Sequence, residues 1–421
     1  MPHRLRPALA LVLVGCQFDA SGVGGDEGGL GEGTVSSTDP TPPGTSSSGG
    51  PGTTTGATTD ATTGTTTDPD PTGADTIGPI PDLGPSDTTD VDDTTTGGPA
   101  CADDWWDPQW TRRRTVQIDG DGLIGASDMV ALLRLDSSRI DYAQAKADGA
   151  DLRVLDGNTE LPLEIERWSP SEVSTVWVRL PALAAVGTTV TMYYGNPAAA
   201  SASDGPATWP DDYVSVHHLQ DFADATGAGH DAASPTPPSA IDGLLAGAHA
   251  FDGVDDGLVL AGESAYDFTT ALSVEAWIRV TAFDATWQAM VTKGDDAWRM
   301  QRYLDSAFVS FGSDPNDDNL DGDVPVDDGV FHHVAIVYGA GVKRVYVDGE
   351  QDDEGALAGP IATTNADVSI GDNVQVDGRE FSGVIDEVRI SSVARDPGYF
   401  AWQFASMQDG LATFGAEQSC E

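Results

Sequence analysis

Carboxylates gather most densely in residues 317–328, a segment whose side chains could bind a metal ion. The segment offers five oxygen ligands: Asp317, Asn319, Asp321, Asp323 and Asp328. Hard oxygen ligands on a glycine-turned loop suit Ca²⁺, and the Asp-x-Asn-x-Asp-Gly spacing fits the first half of a calcium loop. Aspartate replaces the usual glutamate at the twelfth position, and no flanking helices are predicted. We therefore expect either a local calcium loop that is not an EF-hand, or a chance run of acids.

Two histidine pairs, His217-His218 and His332-His333, are further candidates for metal ligands. Neighbouring side chains on a strand point to opposite faces of the sheet, so the two members of a pair rarely bind one ion together. We expect all four histidines to have packing roles.

The charge of the chain restricts its partners. Its 421 residues include 68 Asp and Glu against 20 Lys and Arg, a formal net charge of -48. Such an excess of negative charge repels phosphate groups, which argues against nucleic acid and bare anionic lipid as partners. No apolar stretch is long enough for a membrane-spanning helix.

Residues 17–100 have the composition of a disordered linker. They contain 14 acidic residues but no Lys, Arg, Trp or Tyr, and are rich in Thr, Gly, Ser and Pro. Because this segment has almost nothing to bury, it cannot offset the entropy lost on ordering. We expect a solvated stalk.

The first sixteen residues have the order of an export signal. Arg4 and Arg6 precede a short apolar run that ends in Leu13-Val14-Gly15-Cys16. This ending resembles the bacterial lipobox. The resemblance implies that residues 1–16 are a lipoprotein signal and that Cys16 receives the lipid. The protein would then be exported and anchored to a bacterial membrane, at the cell surface, touching the membrane only through its lipid. An ordinary secretory signal cleaved nearby is the alternative.

Cys101 and Cys420 bracket the rest of the chain. Thiols of exported proteins meet oxidising conditions and tend to pair. With Cys16 lipidated, these two could form an intramolecular disulfide. Two free thiols or an intermolecular bridge are the alternatives.

Short apolar or alternating runs at 115–118, 129–135, 152–155, 161–165, 175–180 and 188–194 predict an all-β sandwich. The segments Val176-Trp177-Val178-Arg179-Leu180-Pro181 and Tyr193-Tyr194-Gly195-Asn196-Pro197 resemble the bacterial domain of unknown function 2341. The resemblance covers about residues 103–200. It implies a β-rich extracellular module, at 101–205, with no established chemistry.

Residues 206–421 contain five blocks in a characteristic order. They are Phe251-Asp252-Gly253, Glu275-Ala276-Trp277-Ile278, His332-His333-Val334-Ala335, Tyr346-Val347-Asp348-Gly349 and Gly383-Val384-Ile385-Asp386-Glu387-Val388-Arg389-Ile390. The series resembles the laminin-G-like (concanavalin A-like) jelly-roll family, which implies two packed antiparallel sheets. The expected fold class is all-β, with two β-sandwich domains after a disordered N-terminal stalk.

One helix is predicted near the end of the chain. Asp396 can cap its N-terminus, and Pro397 suits the first helical position. Phe400, Phe404 and Met407 recur at helical spacing and should face the core. Residues 411–414 are then expected to return as a closing strand.

The laminin-G-like resemblance also implies a calcium ion at one rim of the sandwich. The matching blocks offer Asp252, Asp255, Asp256 and Asp386 as its ligands. Asp252-Gly253 could instead be a plain turn, and Asp386 a hydrogen-bond acceptor at a strand end.

We expect a binding protein and not an enzyme. The resemblance admits glycosidases, which need two carboxylates at a set separation, but the Glu-x-Asp-x-x-Glu motif of the related glucanases is absent, as is Gly-x-Ser-x-Gly. The expected ligand is a glycan or an extracellular or envelope protein, with Ca²⁺ as a candidate cofactor. A passive structural module is the alternative, and a glycosidase-like enzyme the weakest hypothesis.

Overall fold

The computed structural model describes residues 101–120, 123, 126–314 and 318–420. The expected signal segment with Cys16, the expected stalk at 17–100 and Asp317 lie outside the described residues. No helix in the described part has the length and hydropathy needed to cross a bilayer.

Seven strands and one helical turn come first in the described chain. They are β1 (Arg112–Ile118), β2 (Met129–Leu135), β3 (Arg153–Asp156), β4 (Thr159–Glu160), β5 (Leu163–Arg167), β6 (Ser174–Leu180), β7 (Thr188–Tyr194) and α1 (Gly205–Thr208). The apolar runs expected at 129–135 and 188–194 are confirmed as strands.

The second block contains the remaining strands and the longer helix. They are β8 (Tyr213–His217), β9 (Ala232–Ala233), β10 (Ser239–Asp242), β11 (Gly247–Asp252), β12 (Leu258–Leu260), β13 (Ala271–Arg279), β14 (Gln288–Thr292), β15 (Trp298–Arg302), β16 (Ser310–Ser313), β17 (Asp318–Asp321), β18 (Phe331–Gly339), β19 (Val342–Val347), β20 (Glu350–Ala356), β21 (Val368–Ile370), β22 (Ser382–Ser391), α2 (Pro397–Met407), β23 (Ala412–Phe414) and β24 (Gln418–Ser419).

The first module is a sandwich of a six-stranded and a three-stranded antiparallel sheet. The larger sheet has the order β23-β1-β7-β3-β4, with β24 also paired to β1, and the smaller is β2-β6-β5. On β1, Val116 and Ile118 are buried whereas Thr115 and Gln117 are exposed. This alternation is typical of a sheet with one face on the core and one in solvent.

The second module packs an eight-stranded sheet on a seven-stranded one. The eight-stranded sheet has the order β10-β11-β22-β13-β18-β19-β20, with β8 also paired to β22, and the seven-stranded sheet is β17-β16-β15-β14-β21-β12-β9. Val274 and Ile336 of the eight-stranded sheet join Met290 and Met300 of the seven-stranded sheet in one apolar core. The expected all-β fold with two sandwiches is thus confirmed.

The C-terminal segment connects the two modules. Helix α2 begins at Pro397 as expected, although the Asp396 side chain makes no capping hydrogen bond. The strand expected to close the second module pairs instead with the first, where Phe414 lies opposite Val116. Residues 397–420 therefore pack largely with the first module, and the expected division at 205/206 does not describe the packing.

Helix α2 covers the edge of the small sheet of the first module. Ser406 Oγ accepts the N–H of Leu132 at 2.9 Å, and Gln403 Nε2 donates to the carbonyl of Val130 at 3.2 Å. These hydrogen bonds satisfy backbone groups of the edge strand β2, which could otherwise pair with a strand of another molecule. On its other side, the helix stacks Phe404 on Trp277 of β13, with ring centroids 5.6 Å apart.

The eight-stranded sheet is consequently buried on both faces. Its inner face contributes Val274 and Ile278 to the jelly-roll core. Its outer face contributes Trp277 and Tyr346 to the same cluster as the core of the first module. We call the space between this outer face and the first module the junction.

A disulfide joins the two ends of the described chain. Cys101 and Cys420 are bonded, with their Cα atoms 4.5 Å apart and a sequence separation of 319. Cys420 is buried, and its N–H donates to the carbonyl of Thr111 at 3.0 Å. The bond holds β24 beside β1, so both modules lie inside one covalent loop.

Replacing both Cys101 and Cys420 by serine should lower the free energy of unfolding. Loss of a native disulfide typically costs about 2–5 kcal/mol, and a long loop favours the upper end of that range. Urea unfolding followed by tryptophan fluorescence measures the change. Wild type in excess reductant should approach the variant, and equal midpoints for oxidised wild type and variant would contradict the prediction.

Candidate functional site

Asp252, Asp255 and Asp256 come together in the turn that follows β11. One carboxylate oxygen from each lies within 4.8 Å of the others. Asp252 Oδ1 accepts the N–H of Val254 at 2.8 Å, and Asp256 Oδ2 accepts the N–H of Asp252 at 2.9 Å. Burial and the two neighbouring carboxylates raise the pKa of Asp256. Three of the four carboxylates implied by the family resemblance therefore share one exposed turn.

Asp386 is not part of this turn. The residue opposite Asp252 on β22 is Ser382, and Asp386 is four positions farther along the strand, a distance of about 13 Å. Asp386 is wholly buried at the junction, and its Oδ2 accepts the N–H of Leu244 at 2.7 Å. The expectation that Asp386 shares a calcium site with Asp252 is corrected.

Residues 318–321 form strand β17 and not a loop. The strand pairs with β16, and Asn319 Oδ1 accepts a hydrogen bond from Gln301 Nε2 at 3.2 Å. Farther along, Asp328 lies 3.2 Å from His332 Nε2. An extended strand cannot wrap its side chains around one ion, so the expected calcium loop is corrected. Of the expected ligands, Asn319 and Asp321 lie on β17, whereas Asp323 and Asp328 lie beyond its end.

The members of the second histidine pair have different partners. His332 Nδ1 lies 2.8 Å from Asp348 Oδ2, and this hydrogen bond raises the pKa of His332. His333 Nε2 lies 2.9 Å from Glu275 Oε2 at the junction. Both rings have packing and pairing roles at the start of β18.

One member of the first pair, His218, belongs to a charged cluster at the junction. His217 is wholly buried, and burial lowers its pKa to about 4. His218, just after β8, lies among carboxylates of both modules. Its Nδ1 is 2.8 Å from Glu387 Oε1 and 3.8 Å from Glu166 Oε2, and its Nε2 is 3.4 Å from Glu164 Oε2. We call Glu164, Glu166, His218 and Glu387 the junction cluster.

Tryptophan and arginine side chains hold the carboxylates of the junction cluster. Trp177 Nε1 donates to Glu166 Oε2 at 2.8 Å, and Trp209 Nε1 donates to Glu164 Oε2 at 2.6 Å. Arg389 donates to Glu387 Oε2 at 2.7 Å. Each carboxylate therefore has a fixed position.

Burial and neighbouring charges together shift the pKa values of the junction cluster. Burial, reinforced by the charge of Glu387, raises the pKa of Glu166 to about 7. Burial also opposes ionisation of Glu387, but His218 and Arg389 outweigh it and lower the pKa of Glu387. Glu387 and Glu166 likewise outweigh burial at His218 and raise its pKa.

A β-bulge brings two neighbouring carboxylates of β22 to the junction. Ile385 and Val388 both enter the jelly-roll core, although they are three positions apart, an odd offset that would place them on opposite faces of a regular strand. The register slips here against β13, and Glu387 has a φ of 51°. The extra residue of a bulge re-aims side chains, so Asp386 and Glu387 both face away from that core.

A groove of about 320 Å³ lies on the outer face of the seven-stranded sheet. On β15, Trp298 and Met300 face the core, so the alternating Arg299 and Gln301 face outwards. The side chains that line the groove include Trp287, Asp295, Arg299, Gln301, Asp314 and Arg379.

The groove combines one aromatic ring with an ordered polar network. Trp287 is half-buried, and the Arg379 guanidinium lies 5.1 Å from its ring centroid. Arg379 also forms an ion pair with Asp295, and Arg299 donates to Asp314 Oδ2 at 3.0 Å. The polar groups are therefore held in place.

Sequence reasoning missed both the groove and the junction cluster. The alternation Trp298-Arg299-Met300-Gln301 was a usable signal, because long polar side chains recur on one face of a strand. The junction cluster had no comparable signal, since residues 164, 166, 218 and 387 are far apart in the chain.

Comparisons with known families agree with this architecture. Residues 252–398 match the concanavalin A-like lectin/glucanases superfamily. Residues 148–231 match the domain of unknown function 2341, so the expected order of the two is confirmed. The match to the domain of unknown function extends past residue 205 and includes β8. No curated protein matches the chain.

Several solved structures are similar to about half of the chain. The binding domain of Paraclostridial Mosquitocidal Protein 1 is 14% identical, with a TM-score of 0.40, over 47% of this chain and 52% of that one. Domain 4 of AbnA, a GH43 extracellular arabinanase from Geobacillus stearothermophilus, solved in complex with arabinotriose, is 21% identical. Its TM-score is 0.39, over 45% of this chain and 97% of that one. The chain thus spans about half the length of the first of these.

Proposed function

We propose that this protein is a lipid-anchored surface protein that binds carbohydrate in the groove of its seven-stranded sheet. The observation that carries the proposal is the half-buried Trp287 beside the paired side chains of Arg299 and Asp314. Ligand sites typically combine apolar or aromatic surface with a few fixed polar groups.

The chemistry of the groove suits a sugar ring. A pyranose or furanose offers C–H groups that pack on an aromatic face, and hydroxyl groups that both donate and accept hydrogen bonds. Trp287 supplies the aromatic surface, and the carboxylate of Asp314 and the amide of Gln301 supply acceptors and donors. Because Arg299 already holds Asp314 and Asn319 already holds Gln301, little entropy is lost on binding.

The family match also supports a glycan ligand. The residues that line the groove fall within 252–398, the segment that matches a superfamily named for lectins and glucanases. We infer binding without turnover, since the chain lacks the paired-carboxylate motif of the glucanases.

Trp287→Ala should weaken glycan binding at least tenfold, because the variant loses the aromatic surface and the support of Arg379. A glycan array identifies a ligand for the wild-type protein, and calorimetry then measures both affinities.

Trp105→Ala is the matched control. Trp105 is also half-buried and stacks with an arginine, Arg113, at 4.6 Å, but it belongs to the first module. Equal affinities for Trp287→Ala and wild type would reject the groove as the site. Cleavage of the bound glycan would favour the enzyme hypothesis, and a hit on extracellular proteins alone would favour a protein ligand.

We further propose that Ca²⁺ binds weakly to the Asp252, Asp255 and Asp256 turn, as the resemblance implies. Extracellular modules bind Ca²⁺ with dissociation constants of about 10⁻⁴–10⁻³ M. A ligand at 100 times its dissociation constant stabilises a fold by roughly 2.7 kcal/mol. Calcium at tens of millimolar should therefore raise the melting temperature of wild type above its value in chelator at matched ionic strength.

Asp255→Asn should abolish this rise, whereas Asp321→Asn on β17 should retain it. Differential scanning fluorimetry of all three proteins gives the comparison. A wild-type melting temperature that is the same in calcium and in chelator would dismiss the calcium proposal.

The anchor follows from the lipobox at residues 13–16. Wild type should partition into the detergent phase and incorporate labelled fatty acid, whereas Cys16→Ser should do neither because it lacks the thiol that is acylated. More than one acyl chain is needed for lasting attachment. Labelled fatty acid in Cys16→Ser, or none in wild type, would refute the anchor.

A further inference from the structure

The junction cluster has a donor set that the glycan groove does not use. Glu166, His218 and Glu387 each present one ligand atom, and the three atoms lie within 4.8 Å of one another. The ligand atoms around one zinc ion are separated by roughly 3–3.6 Å, given metal–ligand bonds of 2.0–2.2 Å. Small rotations of these side chains would reach that geometry. We propose that Glu166, His218 and Glu387 form a site for a divalent transition metal of the zinc class.

Glu164 lies beside the nitrogen of His218 that faces away from the proposed ligands. Its Oε2 lies 3.4 Å from His218 Nε2. Nδ1 donates a proton to Glu387 Oε1 at 2.8 Å, and a metal ion would take the place of this proton while Nε2 keeps Glu164 as its acceptor. A carboxylate on the far nitrogen of a ligating histidine is a common support for bound metals.

Outer partners also fix the two carboxylate ligands. Glu166 is held by Trp177 at 2.8 Å and by the Gln220 amide at 3.2 Å, while Arg389 occupies only Oε2 of Glu387. Oε1 of Glu387 therefore remains directed at His218. Hydrogen bonds of this kind orient ligands before the ion arrives.

A second and independent feature points to a cation. Asp386 is wholly buried beside the cluster, and its Oδ1 has no hydrogen-bond partner among the described residues. Four carboxylates thus lie around His218, and Arg389 forms an ion pair with one of them, Glu387. Excess buried negative charge is costly, and a divalent ion would neutralise it.

The site also has access and room. A cavity of about 200 Å³ is lined by Glu164, Glu166, His218 and Gln220. It can admit an ion and leave a coordination position for water or another ligand. Imidazole nitrogen with carboxylate oxygen suits Zn²⁺ or Mn²⁺ better than Ca²⁺, which prefers oxygen alone.

The test is a metal titration of the full chain after treatment with chelator. Calorimetry with Zn²⁺ should give one tight site per chain for wild type. His218→Gln should lose that site, and Glu166→Gln should weaken it at least tenfold. Glu164→Gln, which changes only an outer partner, should weaken it by about 10–100-fold. Bound Co²⁺ should show visible d–d absorption in wild type that His218→Gln lacks.

His332→Gln is the matched control. His332 also lies between two carboxylates, Asp328 at 3.2 Å and Asp348 at 2.8 Å, but away from the junction. The His332→Gln variant should bind Zn²⁺ as wild type does. Circular dichroism shows whether each variant is folded. If His218→Gln is unfolded, the Zn²⁺ affinity of the folded Glu166→Gln variant tests the proposal instead. The absence of a tight site in wild type, unchanged affinity in folded His218→Gln or Glu166→Gln, or loss of the site only in Asp255→Asn would overturn the proposal.

Discussion

The buried guanidinium of Arg389 is the contact on which the union of the two sandwiches depends. It extends from β22 of the jelly roll, pairs with Glu387 at 2.7 Å, and lies 4.5 Å and 5.1 Å from the ring centroids of Trp177 and Trp209. These two tryptophans belong to the first module and in turn hold the carboxylates of Glu166 and Glu164. An ion buried this deeply is tolerated only while its partners stay in place, and removing one partner of such a pair typically costs about 3–5 kcal/mol. The charged groups therefore fix how the modules meet.

The eight-stranded sheet explains why such charges are buried at all. Most sandwich sheets have one wet face, but this one packs against the seven-stranded sheet on one side and against α2 and the first module on the other. Its outer face consequently places Glu275 and Arg389 among Trp277 and Tyr346. Each buried polar group needs a partner there, because water cannot supply one. His333 and Tyr399 supply the partners of Glu275 at 2.9 Å and 2.6 Å.

The groove and the junction cavity lie on different sheets of the jelly roll and suit ligands of different size. On the seven-stranded sheet, Arg299 and Gln301 lie almost fully buried at the floor of the groove, and the half-buried Trp287 forms part of its wall. The junction cavity is smaller, about 200 Å³ against about 320 Å³ for the groove, so it suits an ion or a small ligand, and burial of the surrounding side chains strengthens each charge interaction. Binding of a glycan and binding of a metal can thus occur on opposite faces of one sandwich without sharing a residue.

The sequence by itself determined the fold class, the order of the modules, most strands and helix α2, because these follow from local periodicity, turn residues, ordered sequence blocks and the proline that begins the helix. Ordered blocks such as Tyr193-Tyr194-Gly195-Asn196-Pro197 also identified the two families. It left the Cys101–Cys420 pairing open, and the structure resolves it by bringing the two ends of the described part of the chain together. Only the tertiary structure placed β23 on the first module, made 318–321 a strand, and separated Asp386 from Asp252. These outcomes depend on sheet register and on a bulge at Glu387, which arise from pairing between distant segments. The junction cluster has the same origin, since three separate stretches of chain must fold together before Glu166, His218 and Glu387 meet.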